Sequence, residues 1–77
     1  MNKDLLIEIL SHREPELVKL FEDGTPKNIG SDTGNHIRSI LTDEFLATGL
    51  EDPDGNNINN RGKAIEQLID HIGNLIW

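Results

Sequence analysis

The chain has 77 residues, with 14 acidic side chains against seven lysines and arginines, a formal net charge of −7, and no cysteine. That length makes one domain with a modest core. The absence of cysteine excludes disulfides, thiolate metal sites and cysteine nucleophiles, and the negative charge disfavours phosphate backbones and either favours basic partners or simply solvates the surface.

The N-terminal stretch MNKDLLIEIL is not a signal peptide, because Glu8 breaks its apolar run and Asp4 follows its only lysine. No run approaches the roughly 18–20 apolar residues of a membrane span. A soluble, cytoplasmic protein is the expectation. Asn2 is a candidate cap for a first helix over 2–12, with Leu5, Leu6, Ile9 and Leu10 at helical spacing. Ile7 falls off that stripe and is a candidate exposed apolar residue. Pro15 separates this helix from a second over 14–23, carrying Leu17, Val18, Leu20 and Phe21. Gly24 ends it.

The segment GTPKNIGSDTGN reads as turns, with Ile29 as its apolar anchor. A third helix is expected from Thr33 or Gly34 to Thr48. Ser31, Asp32 and Thr33 compete to cap it, and Gly49 stops it. Ile37, Ile40, Leu41 and Phe45 form its apolar face, and Leu46 lies about 100° away from Phe45. A fourth helix runs from Arg61 to Ile72 or beyond, capped by Asn59 or Asn60. Ile65, Leu68, Ile69, Ile72 and Ile76 share one stripe. Ile69 sits mid-stripe and is expected to be worth far more to stability than Ile7. Gly73 either lies inside this helix or closes it with Asn74, leaving Leu75, Ile76 and Trp77 as an apolar tail. The fold class is therefore mostly α: about four short helices around one small core, with room for a minimal β-hairpin between the third and fourth.

Between those two helices lies LEDPDGNNINNRG, residues 50–62. As a calcium loop it fails. With Gly55 in the sixth place, Asp54 and Asp52 take the fifth and third, but Leu50 holds the first and Arg61 the twelfth, where a carboxylate is required. The Asp52-Pro53-Asp54-Gly55 sequence is a strong turn signal. The longer stretch FLATGLEDPDGNNINNRGKAIEQLI resembles the C-terminal half of winged-helix domains. Gly49-Leu50, the turn at Pro53 to Gly55, Ile58 and the Gly62 helix start carry the likeness, over about the last third of the chain. The resemblance implies a DNA-binding regulator, with Asn35, His36, Arg38, Ser39 and Thr42 facing the major groove and the wing touching phosphate beside Arg61 and Lys63. The sequence departs from that pattern where Glu51, Asp52 and Asp54 stand in place of wing lysines or arginines, and where the third helix adds Asp43 and Glu44.

Chemistry is sparse. Ser39, His36 and Asp43 form the nearest approach to a triad, but on one helix they run in parallel and read as a solvated face. Glu8 and His12 are a usable metal pair that lacks a third ligand, and the glycines of GTPKNIGSDTG do not have phosphate-loop spacing. No catalytic residue, metal or cofactor is expected. The expected function is non-catalytic binding of another protein with a basic surface. Glu22, Asp23, Glu51, Asp52 and Asp54 would supply the acidic surface, and Ile7, Leu46 and Trp77 apolar contacts. A phage- or mobile-element-encoded inhibitor or adaptor would have this make-up. The alternative is the winged-helix DNA-binding regulator, with Asn35, Arg38, Ser39, Arg61 and Lys63 as its DNA contacts. A third reading is a structural protein that forms a homodimer.

Overall fold

Asn2 caps the first helix as its sequence position suggests: its side-chain oxygen accepts from the Leu5 N–H at 3.2 Å, and helix α1 runs over Lys3–Arg13. The computed structural model describes residues 1–24, 26–52 and 57–76. Helix α2 spans Ser31–Thr48 and helix α3 Asn60–Leu75, so the chain is mostly helical. The expected second α-helix over 14–23 is instead a 3-10 helix, Pro15–Leu20. Glu14 is extended (φ −152°, ψ 73°), so this segment cannot continue α1. Phe21 must also reach the core, where it is fully buried. A three-residue period lines Phe21 up with Val18, whose carbonyl accepts from the Phe21 N–H at 3.0 Å, and Leu20 is exposed. Gly24 follows at φ +121°, a conformation that side chains rarely adopt.

None of Ser31, Asp32 and Thr33 caps α2, because all three lie inside it. The N-cap is Gly30, with no side-chain hydrogen bond. The cause is tertiary. Ile29 donates its N–H to the Leu75 carbonyl at 2.8 Å and forms an isolated parallel bridge with Ile76, so the chain turns into the helix immediately afterwards. The anchoring role expected for Ile29 is met: it is buried.

The core comprises Leu6, Ile9 and Leu10 of α1, Phe21, Ile29, Ile37, Ile40 and Leu41 of α2, and Ile65, Leu68 and Ile72 of α3. Ile69 and Ile76 are only half-buried. Ile7 is half-buried too and packs against the core, so the expectation of an exposed Ile7, far less important than Ile69, does not hold. Leucines at the fifth and sixth positions widen the apolar arc of α1 far enough to take in Ile7. Leu46 stands out in solvent at 63% exposure.

Helix α3 begins as read. Asn59 Oδ1 accepts from the Gly62 N–H at 2.7 Å, and Asn59 Nδ2 donates to the Thr48 carbonyl at 2.9 Å, so one side chain caps α3 and ties it to the end of α2. Leu50 and Ile58 form an isolated antiparallel bridge, supported by a 2.9 Å bond from the Glu51 N–H to the Asn57 carbonyl. The turn between them, residues 53–56, lies outside the described residues, as does Trp77. Ile58 is not an inward residue: it is 38% exposed. Among the described residues no longer strand forms.

Two glycines let α2 and α3 meet. A Cβ on Gly62 would collide with the Gly49 carbonyl oxygen, and one on Gly49 would sit 2.9 Å from the Gly62 Cα. Gly73 is different: it lies within α3, and a methyl there would make ordinary contact, 3.7–3.9 Å from the Arg38 guanidinium. Alanine normally stabilises a helix interior over glycine by roughly 0.5–1 kcal/mol. We expect that gain for Gly73→Ala and a loss of roughly 1–3 kcal/mol for Gly62→Ala, because backbone must shift. Urea denaturation of both variants measures the difference; the same sign for both would contradict the close backbone contact.

Candidate functional site

The most organised cluster of side chains centres on Glu44. It lies one turn beyond Ile40 and Leu41 on the core-facing side of α2 and is buried, with its side chain 11% exposed. A carboxylate leaves water only if other groups replace its hydration. Three elements supply them. Arg13, in the last turn of α1, donates through Nε to Glu44 Oε1 at 2.7 Å. Thr48, four residues along α2, places its hydroxyl 2.7 Å from Oε2 and 3.1 Å from the Glu44 carbonyl. A hydroxyl has one proton, and the shorter contact with the ionised oxygen is the stronger claim on it. Arg61, in the first turn of α3, reaches Oε2 with Nη2 at 3.3 Å and donates through Nε to the Thr48 hydroxyl at 3.0 Å.

Arg61 extends the network back to α1. Its Nη2 lies 3.1 Å from Glu8 Oε1, and its Nη1 donates to Glu8 Oε2 at 3.4 Å. The hydrogen bond from Arg13, and then that from Thr48, hold the Glu44 carboxyl well below its ordinary value of 4.5, at about 2, against a smaller opposing effect of burial. Glu8, and then Glu44, raise the pKa of Arg61. Among the described residues, no buried side-chain nitrogen or oxygen lacks a partner.

In the sequence Glu44 stands as one more acid of the third helix, and neither Arg13 nor Thr48 carries a local signal of its role. Arg61 was a candidate DNA contact, but the structure turns it onto Glu8, Glu44 and Thr48. Arg38 is exposed and lies beside Gly73 of α3, and Asn35, Ser39 and Lys63 are exposed. Glu22, Asp23 and Glu51 are exposed as well. Asp52 is half-buried and accepts from Asn57 Nδ2 at 3.2 Å, and Asp54 lies outside the described residues. His36 pairs with Glu14 at 3.2 Å, across to the end of α1, so it is not directed along its own helix to Ser39. Glu8, one half of the proposed metal pair, is engaged by Arg61. No group of three metal-capable side chains gathers among the described residues.

A shallow apolar groove of about 180 Å³ lies between Met1, His71, Asn74 and Leu75. Small-molecule sites usually offer roughly 300–1,000 Å³ with convergent polar groups. No helix among the described residues is long and apolar enough to cross a membrane. Comparison with protein-family models, with curated proteins and with solved structures finds no match for the chain.

Because folding lowers the pKa of Glu44, its contribution is fully present above pH 4.5 and is lost as pH falls towards 2. Allowing for arginines that are about one-third exposed, that contribution is on the order of 2–3 kcal/mol. Glu44→Gln is expected to cost about that much at pH 7, and the cost should shrink steadily below pH 5. Urea unfolding of both proteins between pH 3 and 7 tests this; a cost independent of pH would mean that Glu44 is not held ionised by the network.

Proposed function

We propose that the protein is a non-catalytic binding module that works by contact with another protein, one presenting a basic surface, as an inhibitor or adaptor would. The observation that carries this reading is how the charges are disposed. Arg13 and Arg61, two of the seven strong cations, are turned onto the buried Glu44, Arg61 also onto the exposed Glu8, while Glu22, Asp23 and Glu51 face solvent. With 14 acids against seven lysines and arginines, the five cations outside the network do not balance the remaining acids. Such a surface steers basic partners and raises their association rate at low salt. Leu46, exposed one turn beyond Asp43, is a ready apolar contact within that field.

The DNA-binding alternative loses a contact on the same observation. Phosphate contacts supply much of the affinity for nucleic acid, and Arg61 is already engaged. Arg38 and Lys63 remain at the surface where the winged-helix resemblance would put DNA.

The test is capture of the partner from the source organism with the native chain, followed by the variant Glu22→Lys, Asp23→Lys, Glu51→Lys. Exposed charges contribute little to folding, so the variant should fold normally. It should bind the captured partner at least roughly tenfold more weakly at ~100 mM salt, chiefly through a slower association rate. Unchanged binding would overturn the acidic-surface reading. Micromolar binding of the native chain to a duplex DNA would replace it with the regulator.

A further inference from the structure

We propose that α1 and the 3-10 helix form one unit that opens from the α2–α3 pair as a piece, with the Arg13–Glu44 contact as its latch. The inference is independent of the protein-binding reading.

The first support is how packing is distributed. α1 packs most extensively on the 3-10 helix that follows it, and α2 packs most extensively on α3, whereas the interface between α1 and α2 is much shorter. The molecule is therefore two sequence-contiguous helical pairs. The unit 1–21 can separate while keeping the packing of α1 on the 3-10 helix, and gives up the contacts that Leu17 and Val18 make with the shared core. Such an opening costs less than complete unfolding.

The second support is where the polar network sits. Arg13–Glu44 and Glu8–Arg61 both cross the boundary between the two pairs, at 2.7 and 3.1 Å. Both arginines are about one-third exposed, so water reaches the ends of these contacts and can replace them one at a time. Among the described residues, the segment joining the pairs has no helix beyond Leu20, and Gly24 within it already stands at positive φ. Opening would uncover the buried stripe of α1, Leu6, Ile9 and Leu10, on the side that α2 and α3 cover.

Native-state hydrogen exchange at pH 7 separates this from whole-molecule unfolding. In the wild type, the amides of Ile9 and Leu10, corrected for intrinsic rates, should exchange faster than those of Leu68 and Ile72 and respond less steeply to added urea. Gly73→Ala acts inside the α2–α3 pair. It should change the α3 rates, with an expected two- to fivefold slowing, and leave the α1 rates as they were, because it affects the closed and opened forms alike. Arg13→Gln breaks the latch and should accelerate the α1 amides at least about fivefold. Equal protection and urea dependence of α1 and α3 in the wild type would overturn the proposal, as would a Gly73→Ala effect shared equally by α1. Unchanged α1 rates in Arg13→Gln would remove the latch.

Discussion

The fold depends on one ionised carboxylate held where a hydrophobic side chain would ordinarily sit. Glu44 occupies the core-facing side of α2, and its charge is tolerable there only because α1 delivers Arg13, α3 delivers Arg61 and α2 itself delivers Thr48. These donors approach from different directions. Their convergence fixes the rotation of α2 about its axis and the positions of the last turn of α1 and the first turn of α3. Apolar packing is non-directional, so the leucine and isoleucine stripes alone permit several rotations of these helices. The carboxylate does not. Removing one member of such a cluster strands the others, which is a larger penalty than the net worth of the cluster against a hydrophobic replacement.

The close approach of Gly49 and Gly62 complements it at the same end of the molecule. With backbone against backbone, α3 starts within reach of the α2 terminus, and Asn59 bridges them with both ends of its amide. Arg61 then stands one turn into α3, at the right depth to reach Thr48 and Glu44. A chain of this length buries a modest fraction of its surface, so a polar joint at one end and an anchored terminus at the other, where Ile29 meets Leu75 and Ile76, supplement a small core.

The parts of this arrangement that were legible in the sequence are the local ones. Asn2, Asn59 and Gly49 announce helix boundaries through chemistry within a few residues, and Ile65, Leu68 and Ile72 recur at the helical period. What was illegible depends on distant partners. The start of α2 is set by Ile76, some 45 residues on from Ser31, and not by the capping preferences of Ser31, Asp32 or Thr33. The 3-10 form of Pro15–Leu20 follows from the need to bury Phe21. Gly62 marks a helix start in the sequence, and its smallness answers to Gly49. Glu44 was the accessible signal that went unread. It follows Ile37, Ile40 and Leu41 in helical register, so its position implies a charge facing the core, and such a position demands cations from elsewhere in the chain. Arg13 and Arg61, each beside a helix end, were the candidates.

Turning Arg13 and Arg61 inward also shapes what the surface can offer. Two of the seven lysines and arginines are engaged within the fold, and the same contacts join the two helical pairs, so part of the charge pattern and the architecture have a common origin. The most direct test of that origin is a double-mutant cycle on Arg13→Gln and Glu44→Gln, measured by urea unfolding at pH 7 and low salt. If the carboxylate is held by Arg13, the two substitutions together will cost less than the sum of their separate costs, with a coupling of at least about 1.5 kcal/mol. Costs that add to within ~0.3 kcal/mol would show that the two side chains do not act on each other, and that Glu44 does not organise the fold.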